Sequence, residues 1–266
     1  MLQVIRTRLK QGHRTIPFPA KPPELPERFQ GRPMIDQAKC RQGCHSCMDV
    51  CPTDTIGIEA DGVEIDLGRC LFCGECEKAC PEKAIHYTQD YILSTGTRDA
   101  LIMKNERFEV AESLKDKQEI KNYELKIKNG EISRQIFGRS LKLRQVSAGG
   151  CGACEADTNV LNTIVFDLSR FGIQFVASPR HADGLLITGP ITQNMRLALE
   201  KTYIAVPSPK IVIAVGSCAI SGGIYLNHPE VHNGADSILP VDLYIPGCPP
   251  HPLTILDGIL RLLGRL

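Results

Sequence analysis

Cys70-Leu-Phe-Cys73-Gly-Glu-Cys76-Glu-Lys-Ala-Cys80-Pro81 is the stretch from which the rest of this chain is read. Three cysteines two residues apart, then a fourth after three more and a proline, is a ligand run for a [4Fe–4S] cluster. The short gaps let three thiolates wrap one region of the cube in a tight loop. The fourth cysteine opens the next element and points away, so it needs a second cluster to serve. A partner run lies upstream: Cys40-Arg-Gln-Gly-Cys44-His-Ser-Cys47-Met-Asp-Val-Cys51-Pro52, with one extra residue between its first two cysteines.

The two runs are halves of an internal repeat over residues 36–90. Each ends in Cys-Pro followed by a turn and an apolar pair: Ile56 and Ile58 after Cys51, Ile85 and Tyr87 after Cys80. This is the pattern of a small α+β two-cluster ferredoxin domain, in which ligation crosses between the runs. Cys40, Cys44, Cys47 and Cys80 are assigned to one cluster, and Cys70, Cys73, Cys76 and Cys51 to the other. Paired Cys-x-x-Cys zinc sites are the competing reading. They do not require the third closely spaced cysteine or the trailing proline. His45, inside the first loop, reads as a surface residue.

Composition narrows the field. The chain has 266 residues, 31 basic and 30 acidic side chains, and a formal charge of +1, so no global field points to nucleic acid. It has no tryptophan and few aromatics to stack on single-stranded bases. Twelve cysteines in clusters, with no secretory or twin-arginine pattern ahead of them, predict metal or redox chemistry in a reducing compartment rather than disulfides. The longest apolar runs, such as 211–215, fall far short of the roughly 20 residues that span a bilayer.

The remaining segments divide the chain. Residues 1–35 open on a basic amphipathic stretch with Val4, Ile5 and Leu9 on one face, flanked by Arg6, Arg8 and Lys10. It reads either as a surface helix or as an element lying on a membrane or a membrane subunit. Prolines 17, 19, 22, 23 and 26 then predict an extended arm suited to wrapping a partner. Residues 91–140, charged most densely over 115–128, read as a linker with a strand or short helix.

Residues 141–266 alternate short apolar runs with helical patterns. Runs at 173–177, 185–188, 211–215 and 243–245 predict buried parallel strands. Val160, Leu161, Ile164, Val165 and Leu168 predict one face of a helix starting near Cys154, and Leu253 to Leu263 a closing helix. The result is an open α/β sheet, which gathers ligands beyond the carboxyl ends of its strands. The last four cysteines fall there. Cys151-Gly-Ala-Cys154 precedes a helix, Cys218 follows the run 211–215, and Cys248 follows 243–245. Four soft ligands from three loops suit a third [4Fe–4S] cluster. Buried structural cysteines are the bland alternative, and they do not explain why each abuts a glycine or a loop proline.

With these residues in view, Gly138 to Glu155, Ser178-Pro-Arg-His-Ala-Asp183, Val215-Gly-Ser-Cys218 and Tyr244-Ile-Pro-Gly-Cys-Pro-Pro250 resemble the small subunit of membrane-bound, energy-converting [NiFe]-hydrogenases. Formate hydrogenlyase-type complexes and the quinone-proximal 20 kDa subunit of complex I belong to the same superfamily. Residues 36–90, with the approach Phe29-Gln-Gly-Arg32-Pro33, resemble the two-cluster ferredoxin subunit of those assemblies. The chain thus looks like a fusion of two neighbouring subunits, with a flavodoxin-like sheet in the second. Cys151-Gly-Ala-Cys154 is similar to the hydrogenase pattern rather than the adjacent cysteines of the complex I subunit.

The resemblance implies an electron-transfer subunit with three [4Fe–4S] clusters. It would work with a separate [NiFe]-type large subunit, soluble subunits supplying electrons, and integral-membrane subunits, peripherally on the cytoplasmic face of the membrane. It implies no nucleic-acid partner and no catalysis by this chain alone. Glu155 becomes a candidate for a proton path or for shaping the large-subunit contact; a helix first-turn carboxylate favoured by the macrodipole accounts for it equally. Arg180 and His181 fit a hydrogen-bonding loop. Two alternatives stand beside this reading: the equivalent subunit of a complex I-like quinone or ferredoxin oxidoreductase, and a scaffold in a nickel-free hydrogenase-related complex.

Overall fold

A computed structural model of the chain describes residues 2–12, 14–59, 62–103 and 136–266. The charged core of the expected linker, 115–128, lies outside them. Helix α1 (Leu2–Gln11) buries none of its residues and is closed by Gly12 at φ +63°, where a left-handed residue satisfies a last-turn carbonyl. The proline-rich arm that follows is tied to the far end of the chain. Thr15 donates its hydroxyl to the Ile164 carbonyl (2.8 Å) and Ile16 its N–H to Val165 (2.9 Å). Arg170 donates to the carbonyls of Ile16 and Phe18. Phe18 is buried, edge-on to Tyr91. The arm thus lies on the chain's own C-terminal region.

The repeat folds as two interlocked halves. Strand β1 (Pro33–Ile35), helix α2 (Ser46–Asp49), the hairpin β2 (Ile56–Glu59) and β3 (Gly62–Asp66), helix α3 (Glu75–Ala79) and strand β4 (Ile85–Tyr87) follow in order. β1 pairs antiparallel with β4, Ile35 opposite Ile85, while β2 and β3 pair with Ile56 opposite Ile65. Val63 and Ile65 alternate inward along β3, as the strand period requires. Strand β5 (Ile102–Met103) adds to β3, so the start of the expected linker belongs to this sheet.

The C-terminal region is a five-stranded parallel sheet. Its strands are β6 (Leu141–Ser147), β7 (Ile173–Phe175), β8 (Gly184–Thr188), β9 (Ile211–Val215) and β10 (Leu243–Ile245), in spatial order β7-β6-β8-β9-β10. Counted from β6 this is order 2-1-3-4-5, the flavodoxin-like doubly wound arrangement with its switch point between β6 and β8. β8 and β9 are buried at every position, as strands covered on both faces must be. Helices α4 (Ala153–Val160), α5 (Gln193–Ala205), α6 (Ser217–Ser221) and α7 (Pro252–Leu262) complete the fold. Every residue of α7 is buried, because Ile16, Phe18 and Tyr91 join the apolar cluster it forms with the sheet. Its two charges, Asp257 and Arg261, pair at 2.7 Å.

Two features differ from the pattern in the sequence. The helix expected to run from Cys154 to Leu168 ends at Val160, and Ile164 and Val165 are exposed. Their carbonyls accept from the arm instead of continuing a helix. The other is β6, the second strand from one edge of the sheet; its alternating Leu141, Lys142, Leu143, Arg144 hides it from a search for continuous apolar runs.

The two regions share one core. Leu67, Leu93 and Leu101 cluster with Ala219, Ile220 and Tyr244. Thr95 and Tyr244 exchange backbone hydrogen bonds of 3.0 and 2.8 Å. Ser217 donates to the Cys70 carbonyl (2.6 Å) and Ser221 to that of Gly68 (3.0 Å), all four side-chain and backbone groups lying in buried surroundings. Gly68 is required there. A Cβ on it would stand 2.8 Å from both Ile220 and the Arg98 guanidinium.

Candidate iron–sulfur sites

The crossed arrangement of the repeat produces two cysteine-lined cavities. Cys40, Cys44 and Cys47 join Cys80 around one, walled by Ile35, Val63 and Ile85. Cys70, Cys73 and Cys76 join Cys51 around the other, walled by Ile56, Ile65 and Tyr87. In each run the cysteine before the proline leaves its own loop and enters the other cavity. Both crossing thiols are met by a backbone N–H four residues on: Thr55 to Cys51 Sγ (3.3 Å) and Ala84 to Cys80 Sγ (3.1 Å). Phe72 N–H approaches Cys70 Sγ at 3.3 Å. Donors aimed at sulfur suit a thiolate that carries negative charge.

Ionisation of these thiols follows their surroundings. Burial pushes Cys47 up to about 11 and Cys70 up to about 12, and it raises Cys40 and Cys76 as well. Burial also acts on Cys51, but hydrogen bonds from Thr55 and Thr53 outweigh it and leave that thiol below its ordinary value. Ser46 lowers Cys44 in the same way. The buried members therefore hold protons at neutral pH until a metal displaces them.

The third set forms at the carboxyl edge of the parallel sheet. Cys151 and Cys154 follow β6, with Gly152 left-handed at the start of α4; Cys218 lies in α6 after β9; Cys248 follows β10 between Gly247 and Pro249. Burial raises Cys154, and the neighbouring Cys218, Cys248, Glu155 and Cys151 raise it further. Burial with Cys248 and Cys151 pushes Cys218 to about 11. Gly216, at φ +89°, makes the gathering possible. A Cβ there would stand 2.5 Å from Cys154 Sγ. At the switch point, Gly150 and Gly189 let the loops after β6 and β8 touch: a Cβ on Gly189 would meet the Gly150 nitrogen at 2.6 Å. Cys151 and Cys248 face outward, whereas Cys154 and Cys218 are largely covered.

Among the described residues no three His, Cys, Asp or Glu side chains converge closely enough to hold a single metal ion. The sulfurs of the first two sets instead stand around the walls of a cavity without meeting at one point, an arrangement that fits a polynuclear cluster. Thiolate-only donor sets with N–H groups directed at sulfur are also the chemistry of iron–sulfur sites.

Glu155 lies in the first turn of α4 and accepts from the Thr188 hydroxyl at 2.7 Å. Burial favours its neutral form, but hydrogen bonds from Ser147 and Thr188 more than offset that and lower its pKa. Arg180 and His181 sit on an exposed 3₁₀ turn leading into the amino end of β8. His45 is exposed beside α2. Ser217, Tyr87 and Gly216 touch cysteines of the sites, yet reasoning from spacing did not single them out. Ser217 stands directly before Cys218, and Tyr87 occupies the place of Ile58 in the repeat; those are the two signals the sequence offered.

A dicluster iron–sulfur module placed ahead of a flavodoxin-like sheet with four cysteines at its strand ends defines a class of redox-complex subunit. Residues 39–84 match the 4Fe-4S dicluster domain, and residues 151–262 match the NADH ubiquinone oxidoreductase 20 kDa subunit family, to which the chain belongs. Among its relatives is the probable membrane-bound hydrogenase subunit mbhJ of Pyrococcus furiosus, 40% identical over 132 residues, which cover 50% of this chain and 79% of that protein. Formate hydrogenlyase subunit 7 of Escherichia coli is 46% identical over 128 residues, covering 48% of this chain and 50% of the relative. An NADH-quinone oxidoreductase subunit of Clostridium beijerinckii is 45% identical over 118 residues, 44% of this chain and 70% of that one. All three relatives are named as subunits of oxidoreductase complexes. No helix among the described residues is long and apolar enough to cross a membrane.

Proposed function

We propose that this chain is the electron-transfer subunit of a membrane-associated [NiFe]-hydrogenase complex of the formate hydrogenlyase kind. The observation that carries the reading is the join between the second and third cysteine sets. Ser217, next to Cys218, donates a 2.6 Å hydrogen bond to the carbonyl of Cys70. That contact supports a chain of sites in which the cavity lined by Cys70 lies next to the sheet's carboxyl edge. Cys40, Cys44, Cys47 and Cys80 would hold the outer [4Fe–4S] cluster, Cys51, Cys70, Cys73 and Cys76 the middle one, and Cys151, Cys154, Cys218 and Cys248 the third. When bound, each cluster supplies a one-electron centre whose potential depends on charge, hydrogen bonding and solvent access.

The chain's own residues then have separable tasks. The raised thiols give up protons as iron is taken up, which makes loading pH-dependent. Thr55, Ala84 and Phe72 direct N–H groups at the thiolates. The exposed side of the third set, at Cys151 and Cys248, is where a [NiFe]-type large subunit would sit. The outer site is left for soluble electron-supplying subunits. Glu155, held ionised by Thr188 and Ser147, fits an interface anchor better than a proton carrier, whose pKa should lie near neutrality. Helix α1 exposes Leu2, Ile5 and Leu9 beside Arg6, Arg8 and Lys10, which suits the cytoplasmic face of the membrane and its integral subunits.

The equivalent subunit of a complex I-like oxidoreductase is the second reading, favoured by the relative from Clostridium beijerinckii. Cys151-Gly-Ala-Cys154 weighs against it. The deciding experiment is iron and acid-labile sulfide analysis with low-temperature EPR of the reduced protein, followed by hydrogen turnover of the co-purified complex. Three cubane signals and hydrogen chemistry are expected. Zinc, or only two cubanes, overturns the three-cluster reading, and quinone reduction without hydrogen turnover selects the second.

A further inference from the structure

The two halves of the dicluster module share one plan, but the second cavity carries groups at sulfur that have no counterpart among the described residues of the first: the Thr53 hydroxyl 4.0 Å from Cys51 Sγ, the Phe72 N–H 3.3 Å from Cys70 Sγ, and Tyr87. Tyr87 ends β4 with its hydroxyl 3.8 Å from Cys70 Sγ and 3.6 Å from Cys76 Sγ. Its position answers to Ile58 in the first half of the repeat, where no hydroxyl is available. One backbone donor is matched between halves, Thr55 to Cys51 and Ala84 to Cys80, whereas Phe72 N–H to Cys70 is not. The first cavity has a hydroxyl as well, but Ser46 meets only one thiol, Cys44, at 3.5 Å. Among the described residues Tyr87 alone spans two sulfurs of one set. It is held there by β1 pairing, by its N–H to Glu77 (3.3 Å), and by the Phe72 ring.

We propose that Tyr87 is a redox-positioning residue, whose hydroxyl, shared between Cys70 and Cys76, raises the reduction potential of the cluster in the second cavity. The inference rests on reading that cavity as a cluster site. Either atom of each contact can donate while the thiols carry protons. Iron-bound thiolates have none, so the phenol is then the donor. A phenol, which ordinarily titrates at about 10, carries its proton at neutral pH. One-electron reduction adds negative charge that spreads onto the sulfurs, so a donor there stabilises the reduced form more than the oxidised one. Low local dielectric strengthens the effect. The donor falls on the middle site, the one joined through Ser217 to the third set, and favours electron residence there.

The test is an EPR-monitored redox titration of the intact complex carrying Tyr87→Phe, with iron analysis alongside. The signal of the second cavity is identified by its loss in Cys73→Ser protein. Iron content should be unchanged, that one midpoint should fall, and the other two should stay. A packing role alone would leave all three in place, because phenylalanine keeps the ring. Should Tyr87→Phe fail to load iron, 3-fluorotyrosine installed at position 87 decides the matter. Its more acidic hydroxyl donates more strongly, and the same midpoint should rise. Three cubane signals with no selective shift overturn this inference alone. An unmodified complex with no cubane signal that Cys73→Ser removes overturns the reading of the second cavity as a cluster site, and this inference with it.

Discussion

The dicluster module and the parallel sheet each gather four-sulfur sets, but by different means. In the module, ligands are close in sequence, and a tight loop of two-residue gaps brings most of each set together. In the sheet, Cys151, Cys154, Cys218 and Cys248 come from three strand ends, and only the register of β6, β9 and β10 makes them neighbours. A loop-built site is encoded locally and should survive damage elsewhere. A sheet-built site depends on the packing of the whole domain. The contrast predicts how each will fail.

The largest effect should come from the crossing inside the module. Cys51→Ser and Cys70→Ser alter the same set, so the double variant should lose no more than either alone, about one third of the iron. Cys47→Ser with Cys51→Ser, only four positions apart, should lose about two thirds. Iron and sulfide analysis of the purified variants reads this directly. The reverse result, about two thirds lost from Cys51→Ser with Cys70→Ser and about one third from Cys47→Ser with Cys51→Ser, would show that each run keeps its own cluster, and the likeness to a dicluster domain would then be superficial.

The sheet-built site should be more brittle. Gly216→Ala changes no ligand, but it puts a Cβ 2.5 Å from Cys154 Sγ at a φ of +89°. Overpacking of this kind costs about 1–3 kcal/mol, and the left-handed backbone adds to it. The expected outcome is loss of the third cubane signal, with both module signals intact. In the module, Gly43 at φ +75° has open space around it, so Gly43→Ala carries only the backbone strain of about 1–2 kcal/mol and should leave all three signals. If Gly216→Ala retains the third signal, the sheet edge is more compliant than its packing implies.

That same contrast decides what could be read before the fold was known. β8, β9 and α7 were legible because residues buried on all sides form continuous apolar runs. β6 was not, since Lys142 and Arg144 interrupt its apolar positions. The end of α4 was also hidden. Its cause is a pair of donors, Thr15 and Ile16, that reach Ile164 and Val165 from the opposite end of the chain. All twelve cysteines stood out, through close spacing in the module and through flanking glycine and proline in the sheet. What the cysteines rest against did not stand out. Ser217 and Tyr87 are ordinary residues whose meaning depends on a neighbour far away in sequence or on the other half of a repeat.

The smallest effect concerns the join itself, where the comparison between two separate regions is most open to challenge. Ser217 is 1% exposed, and its hydroxyl satisfies the Cys70 carbonyl at 2.6 Å while lying 3.2 Å from that of Gly247. Ser217→Ala leaves a buried acceptor without its donor, at a cost of about 1–3 kcal/mol. Because Leu67, Leu101, Ile220 and Tyr244 form one cluster across the join, the unmodified chain should unfold in urea as a unit, with loss of cluster absorbance tracking loss of secondary structure. The Ser217→Ala midpoint should fall, and the two signals should begin to separate as the module loosens first. If they already separate in the unmodified protein, the module and the sheet are independent bodies, and the link from Cys70 to Cys218 is a contact of convenience rather than the seam of a shared core.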